Sequence, residues 1–183
     1  FVLMRPLNSP WQPVIGGDGL GYYSYLPATF IYSDYQYEFK WFNAVHDSNY
    51  VYSAFPNPED NLLVKYGGRR INKYYPGLSF IWLPFFAVAH FSAALTGDRA
   101  DGFTQPYQLA IFVASLLNIL LGVYAAYRLL LALTASRRAA LLVAGSLFYG
   151  TYLFIYSIAG NSLSHAHSFT ILTSFLFFTH RFF

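Results

Sequence analysis

Asp18 differs from the other carboxylates of this chain in its neighbours. In Gly16-Gly17-Asp18-Gly19-Leu20-Gly21-Tyr22-Tyr23 it has glycine on both sides. Glycines let the backbone bend sharply and let a ligand approach closely, and they leave the carboxylate sterically open. Such a group beside a membrane can take the proton of an acceptor hydroxyl as a general base. Gly17, Gly19, Tyr22 and Tyr23 would then form the loop around the substrate. The same residues also suit an ordinary Asp-Gly turn. The segment is no phosphate-binding loop, because it neither follows a strand nor opens a βαβ unit.

Two further groups of residues have chemistry available. Arg69-Arg70-Ile71-Asn72-Lys73 places three cations just before Tyr74-Tyr75-Pro76, and Pro76 opens an apolar run. Proline fits the first turn of a helix. Backbone N–H groups there, together with Lys73, Arg70 and Arg69, suit a phosphate at a membrane surface. They suit a juxtamembrane contact with anionic headgroups as well. His165-Ala166-His167 is the other group. Two histidines are too few for a closed metal site, but a neutral imidazole can donate to phosphate or sugar. The alternative is a polar helix start, with Ser162 or Ser164 as the N-cap. His46, His90 and His180 are isolated and read as structural. The lack of cysteine removes disulfides, thiolate nucleophiles and Cys-based zinc sites.

The elements that must position these residues follow from composition. Only 10% of the residues are charged and 21% are aromatic, whereas a soluble domain has about 25% charged residues. A soluble surface could not be covered with so few polar groups. All eight Asp and Glu precede residue 102, and the cations after it are Arg128, Arg137, Arg138 and Arg181. These arginines punctuate apolar runs and do not form the basic face that nucleic acid requires.

The expected fold is all-α, a polytopic transmembrane helical bundle with a large extracytoplasmic first loop and interfacial helices. A spanning helix takes about 20 apolar residues. Residues 1–4 read as the end of a truncated first span, and 5–105 as the extracytoplasmic loop. That loop holds a short helix near 26–32 and an irregular stretch at 47–60. Residues 76–96, interrupted by Pro84 and rich in Phe, read as an interfacial or re-entrant helix, which keeps both flanks outside. A span over 106–131, a cytoplasmic linker over 132–138, a returning span over 139–159 and an outer loop over 160–168 follow. Residues 169–183 begin a further span. Arg128, Arg137, Arg138 and Arg181 at the inner ends agree with this orientation.

In this order the pieces resemble the GT-C superfamily of integral-membrane glycosyltransferases, in particular the branch of protein O-mannosyltransferases and aminoarabinose transferases. The resemblance covers nearly the whole chain, as the N-terminal portion of a longer enzyme. Its members carry an acidic residue early in the first extracytoplasmic loop, where Gly-Asp18-Gly-Leu-Gly-Tyr-Tyr stands here. A basic, proline-bearing element ahead of a membrane-surface helix follows, as in Lys73-Tyr-Tyr-Pro-Gly-Leu. A span ending in paired basic residues comes next, as at Arg137-Arg138, and then a second outer loop, here 160–168. The chain departs from the family pattern in two places: Gly19 stands where many members have a second acidic residue, and Tyr75 where many have a second proline.

The resemblance implies a multi-pass protein of a bacterial inner membrane with its active site facing the periplasm. It implies transfer of a sugar from a polyprenyl-phosphate donor to an extracytoplasmic protein, lipid or glycan. Asp18 would be the base, with Lys73, Arg70, Arg69, His165 and His167 toward the donor phosphate. Membrane lipids are expected partners and nucleic acid is not. No cofactor is called for, and a divalent metal stays open. A transporter or flippase of lipid-linked precursors would account for the spans and the surface cations. It would also need ionisable groups within the spans, and over 106–131 and 139–159 the only Asp, Glu, Lys, Arg or His is Arg128. A non-catalytic membrane scaffold would not need an open Asp between glycines.

Overall fold

A computed structural model describes residues 14–42, 45, 62–159 and 162–183. The expected irregular stretch at 47–60 and the expected span end at 1–4 lie outside these residues. The chain is mostly helical, as an all-α reading requires. It divides into two compact units, one up to Phe112 and one from Val113 onward.

In the first unit, α1 (Asp18–Tyr23) and α2 (Tyr25–Phe30) are single short helices joined at Ser24. The Ser24 hydroxyl donates back to the Leu20 and Gly21 carbonyls and closes α1. α2 corresponds to the short helix expected near 26–32. A hairpin of β1 (Leu63–Tyr66) and β2 (Arg69–Asn72) comes next, antiparallel, with Leu63 opposite Asn72 and Tyr66 opposite Arg69. The hairpin was not expected from the run of cations, but its signal is present in the sequence. Gly67 and Gly68 both have positive φ, 57° and 77°, and a two-residue Gly-Gly link between short β-prone runs is the usual chemistry of such a turn.

α3 (Gly77–Thr96) starts after Pro76, passes through Pro84 and stops at Gly97, which has φ 77°. One face of it enters an aromatic core. Tyr23 packs its ring at 6.4 Å from Trp82, 5.9 Å from Phe86 and 5.7 Å from Phe103. Its hydroxyl donates to the Gly102 carbonyl, so this buried polar tip is satisfied. His90 Nδ1 lies 2.6 Å from the Tyr107 hydroxyl. The opposite face of α3 leaves Phe80, Val88, Phe91 and Leu95 exposed.

α4 (Gln105–Thr134) is 30 residues long and runs on into the second unit. α3 and α4 are the two helices, among the described residues, long and apolar enough to cross a membrane. α5 (Arg137–Tyr149) is capped by Ser136, whose side chain accepts from the Ala139 N–H. The expected linker of 132–138 is thereby reduced to Ala135 and Ser136. The apolar run over 139–159 is not one continuous helix. α5 ends at Gly150, and α6 (Leu153–Ile158) starts after a break that Thr151 bridges, its hydroxyl donating to the Leu147 carbonyl and accepting from the Leu153 N–H.

α7 (Ser164–Phe182) pairs with α4 in the second unit. Its N-cap is Leu163, not Ser162 or Ser164. Thr170 Oγ1 donates to the Asn118 carbonyl at 2.8 Å and Thr173 Oγ1 to the Gly122 carbonyl at 3.2 Å. A Cβ on Gly122 would stand 2.4 Å from Thr170 Oγ1 and 2.9 Å from its Cα, so glycine is what lets the two backbones come this close. Small residues with hydroxyl-to-carbonyl bonds are the means by which helices pair where no hydrophobic drive between them exists.

Candidate functional site

The Asp18 segment owes its geometry to two glycines and to the chain segment that follows β2. Gly17 precedes α1 with φ 53° and ψ −135°, a conformation that costs a side chain energy. It turns the chain so that Asp18 begins the helix, exposed to solvent. Gly21, one turn later, is buried beneath the ring of Tyr74. A Cβ there would lie 2.1 Å from Tyr74 Cδ2 and 2.7 Å from Cγ. With that contact allowed, the Tyr74 hydroxyl donates to Asp18 Oδ1 at 2.5 Å.

Tyr74 is itself fixed by its own backbone. Its N–H donates to Asn72 Oδ1 at 3.0 Å, and its carbonyl accepts from the Tyr25 hydroxyl at 2.6 Å. Asn72 in turn donates through Nδ2 to the Gly21 carbonyl at 2.8 Å. The hairpin, α1 and α2 therefore hold one another through a small polar network in which each buried group has a partner. Tyr22 meets the Tyr74 ring edge-on at 5.0 Å, and its carbonyl accepts from the Ser79 hydroxyl of α3. Loss of hydration, followed by the Asp18 hydrogen bond and charge and by Tyr22, raises the Tyr74 phenol from 10.0 to about 12.

Lys73 is exposed and carries its ammonium 5.2 Å from the centroid of the Tyr74 ring. One aromatic ring thus bears the hydrogen bond to the carboxylate and lies under the cation. Arg69 and Arg70 are separated by the pleat of β2. Arg70 lies opposite Lys65 and on the same face as Asn72, whereas Arg69 lies opposite Tyr66 on the other face. Of the residues expected around the substrate, Gly17 is exposed next to Asp18 and Tyr22 is half-buried one turn further on. Gly19 is buried, and Tyr23 is turned into the aromatic core already described.

The other described carboxylates have structural partners. Asp34 accepts from the backbone of Glu38 and Phe39 and closes a turn. Glu38 is paired with Lys40, whose hydrogen bond and charge lower its pKa. Asp98 accepts from Thr96, and Asp101 accepts from the N–H groups of Phe103 and Thr104 ahead of α4. No family model, curated protein or solved structure matches this chain. The chemistry of the site is therefore argued from its own geometry.

His165 and His167 belong to the second unit and differ from each other. His165 is exposed, and its ring stacks on Tyr156 at 5.0 Å. His167 is fully buried, with Nε2 at 3.4 Å from the Ser115 hydroxyl of α4. Among the described residues no three His, Asp or Glu side chains group closely enough to hold a metal ion.

Tyr74, Asn72 and Tyr25 escape a reading by sequence. Tyr74 stands next to Lys73, but nothing in a run of aromatics says which one reaches a carboxylate 56 positions away. Gly21 carried a weak signal, since a glycine within a helical stretch often marks a close approach.

Proposed function

We propose that this chain is part of a multi-pass membrane glycosyltransferase of the GT-C kind. It would transfer a sugar from a polyprenyl-phosphate donor to an acceptor on the outer side of a bacterial inner membrane. The observation that carries the reading is the solvent-open carboxylate of Asp18, oriented by the Tyr74 hydroxyl beside the Lys73 ammonium. A base and a cation gathered on one tyrosine are what a direct displacement at a glycosyl phosphate calls for.

The acceptor hydroxyl gives its proton to Asp18 as its oxygen bonds to the anomeric carbon. The bond from that carbon to the phosphate oxygen breaks, and polyprenyl phosphate leaves as an anion. Tyr74 uses one carboxylate oxygen and leaves the other to meet the acceptor. Lys73 and Arg70 offset the charge that develops on the departing phosphate. Two apolar helices of sufficient length support membrane association.

α3 is better read as lying in the outer interface than as crossing. Its first turns are covered by α1 and by the backbone of Tyr22, accepting from Ser79. α1, six residues long, is itself too short to cross a bilayer, so this end of α3 belongs with the surface segments. On this reading α4 is a crossing helix that ends in the cytoplasm, just before Arg137 and Arg138 at the start of α5.

The test uses membranes bearing the complete protein and synthetic polyprenyl-phosphate mannose, glucose and 4-aminoarabinose as donors, with release of polyprenyl phosphate as the readout. Asp18→Asn keeps the shape and the bond from Tyr74 but removes the base. It should slow turnover by about a hundredfold or more while the protein still accumulates in the membrane. Turnover by Asp18→Asn at the unaltered rate would remove Asp18 as base, and no turnover of any donor by the unaltered protein would sink the reading as a whole.

A further inference from the structure

The pleat of the β1–β2 hairpin sorts its side chains into two unlike faces. Leu63, Lys65, Arg70 and Asn72 share one face, which Asn72 ties to α1 through the Gly21 carbonyl. The other face carries Val64 opposite Ile71 and, nearer the turn, Tyr66 opposite Arg69. These four are open to solvent. Val64 is 49% exposed, Ile71 46% and Tyr66 77%, and Arg69 is exposed too. A solvated hairpin would carry polar residues on such a face. This one carries a β-branched pair, an aromatic ring and a guanidinium.

Charge narrows the choice of what this face meets. Residues 62–97 contain Lys65, Arg69, Arg70 and Lys73 and no Asp or Glu. Glu38 is close enough for Arg69 and Arg70 to lower its pKa, but its carboxylate is already paired with Lys40. The hairpin is therefore a net cation with an apolar and aromatic outer face. It leads through Tyr75, 83% exposed, directly into α3 and its exposed row of Phe80, Val88, Phe91 and Leu95. An aromatic ring and basic groups beside an apolar helix are the composition found at headgroup level.

We infer that the outer face of this hairpin, Val64, Tyr66, Arg69 and Ile71, docks on an anionic lipid headgroup layer and holds the Asp18–Tyr74 site at the membrane surface. Arg69 is thereby assigned to bulk lipid phosphate, and Arg70, on the other face, remains with the site. The inference rests on the membrane part of the reading above and is independent of the sugar-transfer part.

The chain has no cysteine, so Tyr66→Cys gives a single site for an environment-sensitive nitrobenzoxadiazole label. Ile71→Cys on the same face serves if the first variant folds poorly. The complete protein is reconstituted into vesicles of phosphatidylcholine alone or of phosphatidylcholine with phosphatidylglycerol, and flotation checks that it is in the vesicles. In the anionic vesicles the emission should shift to the blue and quenching by acrylamide should fall severalfold. High salt or Arg69→Glu should reverse both effects. Equal quenching in the two kinds of vesicle would overturn the inference and leave sugar transfer untouched. Shielding that survives both high salt and Arg69→Glu would mean that headgroup charge does not hold the face, and would overturn it as well. Failure to float would remove the membrane reading and this inference together.

Discussion

Tyr74 donates its proton to Asp18, so its ionisation would set two negative charges against each other. Burial and that bond raise its pKa from 10.0 to about 12. The folded protein therefore keeps this proton at pH values where the unfolded chain has lost it. The stability that the phenol contributes is complete below pH 10.0 and is lost as pH rises from there through about 12. Subtracting the phenolate absorbance titration of Tyr74→Phe from that of the unaltered protein should isolate one phenol with its midpoint near 12. Asp18→Asn should move that midpoint down. A difference curve centred at the ordinary value would mean that the carboxylate and the phenol are not in contact. Gly21 is the steric counterpart of this bond. Gly21→Ala places a methyl group into the Tyr74 ring, near its root, where Asn72 and Tyr25 hold the backbone on either side. Overpacking of this kind costs about 1–3 kcal/mol, read as a lower melting temperature in detergent. The Tyr74 midpoint should fall in the same variant, because the ring is pushed off Asp18.

The hairpin and the α4–α7 pair each depend on glycine at one place, for different reasons. At Gly67 and Gly68 the turn needs positive φ, and a side chain in that region costs about 1–2 kcal/mol per residue. Gly68→Val should therefore loosen β2 and, through Asn72, the Asp18 segment as well. Faster hydrogen exchange at residues 63–72 would show it, and unchanged protection would contradict the role given to the turn. Between α4 and α7 the constraint is distance. Gly122→Ala should destabilise the second unit by about 1–3 kcal/mol, because the nearest atoms include the Thr170 backbone, which cannot swing aside. Thr170→Ser, which keeps the hydroxyl donated to Asn118, should cost less than Thr170→Val, and thermal unfolding of the two variants compares them. The break between α5 and α6 also belongs to this scale. Thirteen residues of helix reach only about 20 Å, short of the about 30 Å of a bilayer core, so 139–159 is a broken element and not a single straight span.

For the protein in its membrane, the proposal makes α4 a crossing helix and α3 an interfacial one. The lack of cysteine allows both statements to be tested with single introduced thiols and a membrane-impermeant maleimide. Thiols at Thr104 and Arg137, which flank α4, should react from opposite sides. Thiols at Tyr75 and Asp98, flanking α3, should react from the same side, the one from which Asp18→Cys also reacts. Reaction of positions 75 and 98 from opposite sides would make α3 a span and would reverse the location given to the first loop.

Composition and charge placement sufficed, without any structure, for a mostly helical chain with long apolar helices, because burial of apolar length is a local property that a window of sequence records. They also singled out Asp18, since flanking glycines are read directly, and they marked α3, whose length and apolar content are continuous along the chain. What they could not supply was pairing. The bond from Tyr74 to Asp18 joins residues 56 positions apart and depends on a hairpin whose Gly-Gly turn was overshadowed by the arginines beside it. The separation of Arg69 from Arg70 onto opposite faces is a consequence of strand pleat, which a run of cations read as a cluster conceals. His165 and His167 look equivalent in sequence, yet helix geometry exposes one and buries the other against Ser115. Spacing along the chain reports which groups are available; which of them touch is decided by close approaches such as that of Tyr74 over Gly21, where a single Cβ would not fit.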